Sequence, residues 1–214
     1  MARPLKDPRI GTGKAAPPRH PARTPSSEVV EALVGAAERL LDREGPGSLT
    51  VRAIAAEAGV APMGVYNHLG DKNGVVDELV KRGFDDLRTS FGEGDPDRPI
   101  EALVAAGHAY RRFALDHPAR YSVMFDRAVP DYTPSEEAMS HAWASFAVLV
   151  DLVQAAADAD LLVPGDPIEI AQRIWSAMHG HVSLELRGMG FVTDIDSHFE
   201  KFATSVIRGL LAQP

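Results

Sequence analysis

The stretch from Leu49 to Lys72, LTVRAIAAEAGVAPMGVYNHLGDK, restricts the folds open to this chain more than any other segment. Thr50 has the chemistry of a helix N-cap, because its hydroxyl can accept from an orphan amide in the first turn. After it Val51, Ile54, Ala55 and Ala58 recur at three- and four-residue spacing, which makes one apolar helical face. Gly59 follows where a helix end calls for positive φ, a conformation glycine adopts without steric cost. Val60 packs into the turn. Pro62 suits the first position of a second helix, where its missing N–H would have had no partner. That second helix, about 62–68, buries Val65 and Leu69 and presents its other side chains outward. Two helices joined by a glycine turn, the second short and projecting, make a helix-turn-helix. Helix pairs of this kind occur in many all-α proteins. The gathering of Tyr66, Asn67, His68 and Lys72 beside the turn is what points to function.

The rest of the chain reads as helical too. Alanine is abundant, β-branched runs are scarce, and apolar residues fall at helical spacing almost throughout its 214 residues, so the fold class is all-α. A first helix is expected over 27–43, capped by Ser26 or Ser27, with Val29, Val30, Leu33, Ala36, Ala37, Leu40 and Leu41 as its apolar stripe. EGPG at 44–47 ends it. A fourth helix, 72–89, carries Val75, Val76, Leu79, Val80 and Phe84. The break FGEGDPDRP at 91–99 separates a head, 26–90, from a second domain, 99–214. Five further helices are expected near 100–116, 118–128, 135–159, 167–188 and 196–212. Residues 1–25 are rich in Pro, Gly, Arg and Lys, with little to bury, and read as a disordered basic arm.

Charge divides along the same line. Residues 1–90 hold 13 Lys+Arg against 12 Asp+Glu, whereas residues 91–214 hold 9 against 18, and together they make the net −8. The acidity belongs to the C-terminal part; the N-terminal end is near neutral with a basic arm. If the helix-turn-helix meets nucleic acid, affinity must come from a few placed contacts and not from a broad positive surface. The chain has no cysteine. That excludes disulfides and thiolate metal sites and fits a reducing cytoplasm. No apolar run approaches the roughly 18 residues of a membrane span, and the N-terminus lacks the apolar core of a signal peptide.

From about Ser26 to Phe84 the sequence resembles the DNA-binding domain of tetracycline-repressor (TetR) family transcription regulators. The resemblance rests on L-T-V-R-x-I-A-x-E-A-G-V followed by Y-x-H, a hydrophobic residue, two more and K. It implies a nine-helix, two-domain protein that binds a double-stranded operator as a homodimer. In a helix-turn-helix the second helix lies in the major groove with its N-terminal residues at the base edges. Ala61, Pro62, Met63, Gly64, Asn67 and His68 are then the outward candidates, with Arg52 pointing the same way from the preceding helix. Asn67 can read adenine and Met63 can touch a thymine methyl. His68 has a second reading as a cap of the reading helix. The resemblance assigns Tyr66 and Lys72 to phosphate, Lys72 jointly with the N-terminus of the fourth helix. Ala61 departs from the pattern, which often has Ser or Thr at this cap.

Residues 100–212 set aromatics and histidines among many alanines. His108, Phe113, Tyr121, Phe125, Trp143, Trp175, Met178 and His179 are the candidates for a small-molecule pocket, with Tyr110, Met124 and Phe146 nearby in sequence. Dense core packing without an effector is the competing reading. Trp175, His179 and Gly180 resemble the Trp-His-Gly signature of a subgroup of the family. Trp175 and His179, four apart, share a helix face. His179 and His181 lack the spacing for two metal ligands on one face, so no metal site is expected. His108, Asp116, His117 and Asp126 include acid–base groups, but no nucleophile elbow, phosphate loop or cofactor motif accompanies them, and an enzyme is not expected. The last two long helices should pair with their twofold mates as a four-helix bundle. Ile168, Ala171, Ile174, Ala177, Val182, Phe199, Phe202, Val206, Ile207, Leu210 and Leu211 supply apolar surface for it, some of which must be intramolecular core.

Overall fold

The computed structural model describes residues 26–212 apart from 93 and 96. The basic arm expected over 1–25 lies outside the described residues. Within them the chain forms nine α-helices and one 3-10 turn, Pro46–Ser48. The head comprises α1 (Ser26–Glu44), α2 (Val51–Ala58), α3 (Pro62–Leu69) and the start of α4 (Lys72–Ser90). The body comprises α5 (Pro99–Asp116), α6 (Pro118–Phe125), α7 (Glu136–Asp158), α8 (Pro167–Leu186) and α9 (Ile195–Arg208). No helix among the described residues is long and apolar enough to cross a membrane.

The head closes around Leu33, Leu41, Ile54, Val65, Val75, Val76 and Leu79, all essentially inaccessible. Each such side chain contributes about 1.5–3 kcal/mol of transfer free energy. The apolar stripes of α1, α2 and α4 converge there, and α3 is held by buried Val65 and half-buried Leu69. Met63, Tyr66 and Asn67 are left facing solvent.

Helix α4, 19 residues and about 28 Å long, begins beside the reading helix and ends inside the body. Its second half buries Val80, Phe84 and Leu87, and α7 is the helix it packs against most extensively. One helix thus carries a continuous hydrophobic core from head to body.

Two helix ends differ from the sequence expectation for visible reasons. Helix α6 stops at Phe125, not at 128, because the backbone turns through Arg127 at φ 52°. Helix α9 stops at Arg208, well short of 212, because Leu211 forms an antiparallel bridge with Leu162. That bridge is sealed by Val163 N–H donating to Leu210 O at 2.9 Å and Ala212 N–H to Leu161 O at 3.0 Å. It clamps the end of the chain onto the α7–α8 connection.

Candidate nucleic-acid interface and helical cavity

The turn is built as its residue types require. Thr50 Oγ1 accepts from Ala53 N–H at 3.2 Å. Gly59 sits at φ 70°, ψ 26°, and Val60 N–H donates to Ala55 O at 3.0 Å while Gly59 N–H donates to Ala56 O at 3.2 Å. This is the paired closure that a left-handed residue permits at a helix end. The chain then enters α3 with Pro62 in its first turn, and Ala61 offers no side-chain cap. Pro62 has no N–H and Gly64 N–H donates to Ala61 O at 2.8 Å, so the Met63 amide is the one left without a capping partner at the tip.

Around that tip Arg52, Ala61, Pro62, Met63, Tyr66 and Asn67 are exposed, while Gly64 is half-buried. Met63 is 63% and Tyr66 53% accessible although both are large and apolar in part. Helical geometry puts Met63, Tyr66 and Asn67 on one side of α3 and Val65 on the other. His68 is half-buried, with Nδ1 2.9 Å from Ser26 Oγ, so it ties the end of α3 to the start of α1. Lys72 is also half-buried, and its Nζ lies 3.5 Å from the Pro130 carbonyl, facing the body. The joint grip expected of Lys72 and the first-turn amides of α4 is not assembled here. Asp71 Oδ1 already accepts from Asn73 N–H at 2.7 Å and Gly74 N–H at 3.1 Å.

Between α4, α5, α6, α7 and α8 lies a cavity of about 220 Å3. Phe125, Trp175 and Met178 line it, together with Phe84, Tyr110, Phe146 and Leu149 among others. Tyr121 and His179 stand one layer behind. Tyr121 Oη is 2.7 Å from His179 Nδ1 and 3.0 Å from Tyr110 Oη, and Trp175 Nε1–H donates to Tyr110 Oη at 3.3 Å. Burial lowers the affinity of His179 for a proton and, reinforced by Tyr121, pushes the Tyr110 phenol far above its usual range. The cluster is therefore uncharged at neutral pH.

The remaining candidates are elsewhere. His108 packs on Phe199 with Nε2 3.4 Å from Glu200, Phe113 is buried against His117, and Trp143 is 54% exposed on the outer side of Phe146. Sequence reasoning missed the α4 wall and, apart from Phe146, the α7 wall. Their apolar stripes look the same whether the space beside them is filled or empty. Among the described residues no group of acidic residues, His or Cys could hold a metal ion.

Head and body are also joined by polar contacts. Asp77 Oδ1 accepts from Tyr132 O–H at 2.8 Å and Ser135 N–H at 3.0 Å, and its Oδ2 accepts from Ser135 Oγ–H at 2.6 Å. Burial pushes the Asp77 carboxyl up, yet these bonds outweigh it and hold it below the usual carboxylate range. Lys81 pairs with Glu78 at 2.6 Å and Glu137 at 2.9 Å. Arg120 of α6 reaches back to Asp86 at 2.6 Å and Glu38 at 3.5 Å. The start of α7 is thereby fixed to the middle of α4.

A small helical head with a projecting, uncapped reading helix, joined through α4 to a hollow helical body, is the architecture of a helix-turn-helix transcription regulator. Comparison with known proteins agrees. Residues 33–79 match the bacterial regulatory proteins of the tetR family, and residues 103–206 match the tetracyclin repressor-like C-terminal domain. The chain is 30% identical over 186 residues to the HTH-type transcriptional regulator Rv0681 of Mycobacterium tuberculosis, covering 84% of this chain and 80% of that protein. It is 31% identical over 93 residues to the HTH-type regulator YobS of Bacillus subtilis, covering 42% and 47% of the two chains. A solved Rhodococcus sp. RHA1 protein of unknown function superposes with a TM-score of 0.72 at 25% identity, covering 92% of this chain and all of that one. The fold is also that of NalD, the secondary repressor of the MexAB-OprM multidrug efflux pump in Pseudomonas aeruginosa, with a TM-score of 0.62 at 21% identity over 88% of this chain and 98% of that one. This chain belongs to the TetR family of DNA-binding transcriptional regulators.

Proposed function

We propose that the protein is a ligand-responsive repressor that works in the cytoplasm and binds a palindromic operator as a homodimer through α3. The observation that carries this reading is the solvent-facing row of Met63, Tyr66 and Asn67, with Arg52 also exposed on α2, held on a helix whose opposite side is anchored by buried Val65. Large side chains without an internal partner, aimed outward at an uncapped helix tip, suit the major groove. One such helix contacts too few base pairs to be selective, whereas two placed roughly 34–36 Å apart read both halves of a palindrome. In this reading His68 holds α3 against α1, while Lys72 contributes charge near the phosphates. Trp175 lines the cavity, and His179, four residues on, stands one layer behind it. That placement is compatible with the Trp-His-Gly subgroup.

An effector entering the cavity acts on DNA binding because α4 is one of its walls and its first turn follows directly from the reading helix. For repression to be relieved, the effector must bind the DNA-incompetent arrangement more tightly. A constitutive regulator with a filled body is disfavoured by the cavity itself. Footprinting the DNA upstream of the protein's own gene supplies a candidate operator. On it Tyr66→Ala should weaken binding about tenfold, the worth of one hydrogen bond to a charged phosphate oxygen. Unchanged affinity by gel shift or fluorescence anisotropy would remove α3 from the DNA interface.

A further inference from the structure

The cavity wall has an unusual charge balance for a binding site. Among the described residues that line it there is no Asp, Glu, Lys, Arg or His side chain. Its polar groups reduce to the Trp175 indole, the Tyr110 phenol and the hydroxyl of Ser145 on α7. The first two are already spoken for. Tyr110 Oη and Tyr121 Oη lie 2.9 and 2.7 Å from His179 Nδ1 and 3.0 Å from each other, and Trp175 N–H donates to Tyr110 Oη. This cluster engages its own polar groups and leaves little to offer a ligand. Ser145 is different. It is only 3% exposed, it lines the cavity, and none of the hydrogen bonds among the described residues uses its hydroxyl. Its oxygen is not one of the sealed polar atoms left without a partner, Asn73 Oδ1 and His181 Nδ1, so it opens onto the cavity and is free to bond a ligand there.

We propose that this cavity takes an uncharged, largely apolar molecule carrying one hydroxyl or carbonyl group that hydrogen-bonds to Ser145 Oγ. The inference rests on the sensor reading above and adds the ligand's chemical class. A carboxylate or ammonium would be stripped of water with no counter-ion to receive it, so both are excluded by the wall. Size follows from volume. An apolar cavity of about 150 Å3 holds benzene, so about 220 Å3 suits a bicyclic aromatic or a compact terpenoid. Met139, which lines the cavity and is 55% exposed, stands with Pro134 at the rim and marks the entrance.

The test uses the full chain and four probes of one shape: naphthalene and its naphthol, naphthoate and naphthylmethylammonium derivatives substituted at the same carbon. Calorimetric titration should give naphthol an affinity roughly three- to tenfold above naphthalene. Both ions should bind roughly a hundredfold more weakly or not at all. Ser145→Ala should bring naphthol down to the naphthalene value and leave naphthalene unchanged. Ala142→Phe, which fills the cavity, should abolish binding of both neutral probes and so separates the cavity from exposed apolar surface. Preferential binding of naphthoate or the ammonium, or a Ser145→Ala protein that still prefers naphthol, overturns the ligand class and leaves a sensor of another kind. Failure of all four probes, with operator binding intact, overturns both the ligand class and the sensor reading, but not the DNA-binding role.

Discussion

At the scale of single residues, the head depends on a few positions with no freedom to vary. Gly74 is the tightest. A Cβ built there would overlap the carbonyl oxygen of Leu69, and that oxygen belongs to the last residue of the reading helix. Backbone cannot swing away as a side-chain tip can. Gly74→Ala should therefore destabilise the head by about 2 kcal/mol, measured by urea denaturation, and should lower operator affinity because α3 must shift. A Gly74→Ala protein as stable as wild type would show that the α3–α4 corner yields easily. Thr50, Gly59 and Pro62 are readable from sequence, because capping, positive φ and a missing N–H are properties of one residue and its immediate neighbours. Gly74 is not, since the atom it makes room for lies across a bend that no local pattern announces.

The elements matter most where α4 meets α7. Asp77 gathers three hydrogen bonds from Tyr132 and Ser135, which locks the start of a cavity wall to the helix leading into the reading head. Asp77→Asn keeps the shape but weakens the acceptor, and should cost about 1 kcal/mol near neutral pH, limited by the site's partial exposure. Because the folded state holds this carboxyl below its ordinary range, its contribution is complete above the unfolded value of about 3.9 and is lost as pH falls through the folded value. Stability curves of wild type and Asp77→Asn should thus converge in acid. Parallel curves across that range would mean that the carboxylate charge is not what the joint uses. Sequence periodicity correctly placed α4 and α7 as helices, yet it could not show that they are one mechanical unit. Residues 77 and 135 are far apart in the chain, and their meeting is a consequence of packing.

For the whole molecule, the important division is between surface buried within one chain and surface left for a second. Of the apolar residues on α8 and α9, Ala171, Ile174, Val182, Phe199 and Ile207 are buried within the chain, as is Leu210 just beyond α9. Ala177, Phe202 and Val206 are only half-buried, and Leu184 is 51% exposed on the outer side of α8. If this face pairs with its twofold mate, Leu184→Glu should convert dimer to monomer in sedimentation velocity and abolish tight operator binding while the fold survives. A Leu184→Glu protein that remains dimeric would place the interface elsewhere. The amino-acid sequence alone determined what depends on near neighbours: helix identity, the glycine turn, the capping residues, and the family pattern of the reading head. Tertiary structure alone decided which half of each apolar stripe is core, which aromatics surround empty space, and which polar groups find partners. A helix face that buries its side chains against a neighbour and one that borders a cavity have the same periodicity, and only the positions of the other helices distinguish them.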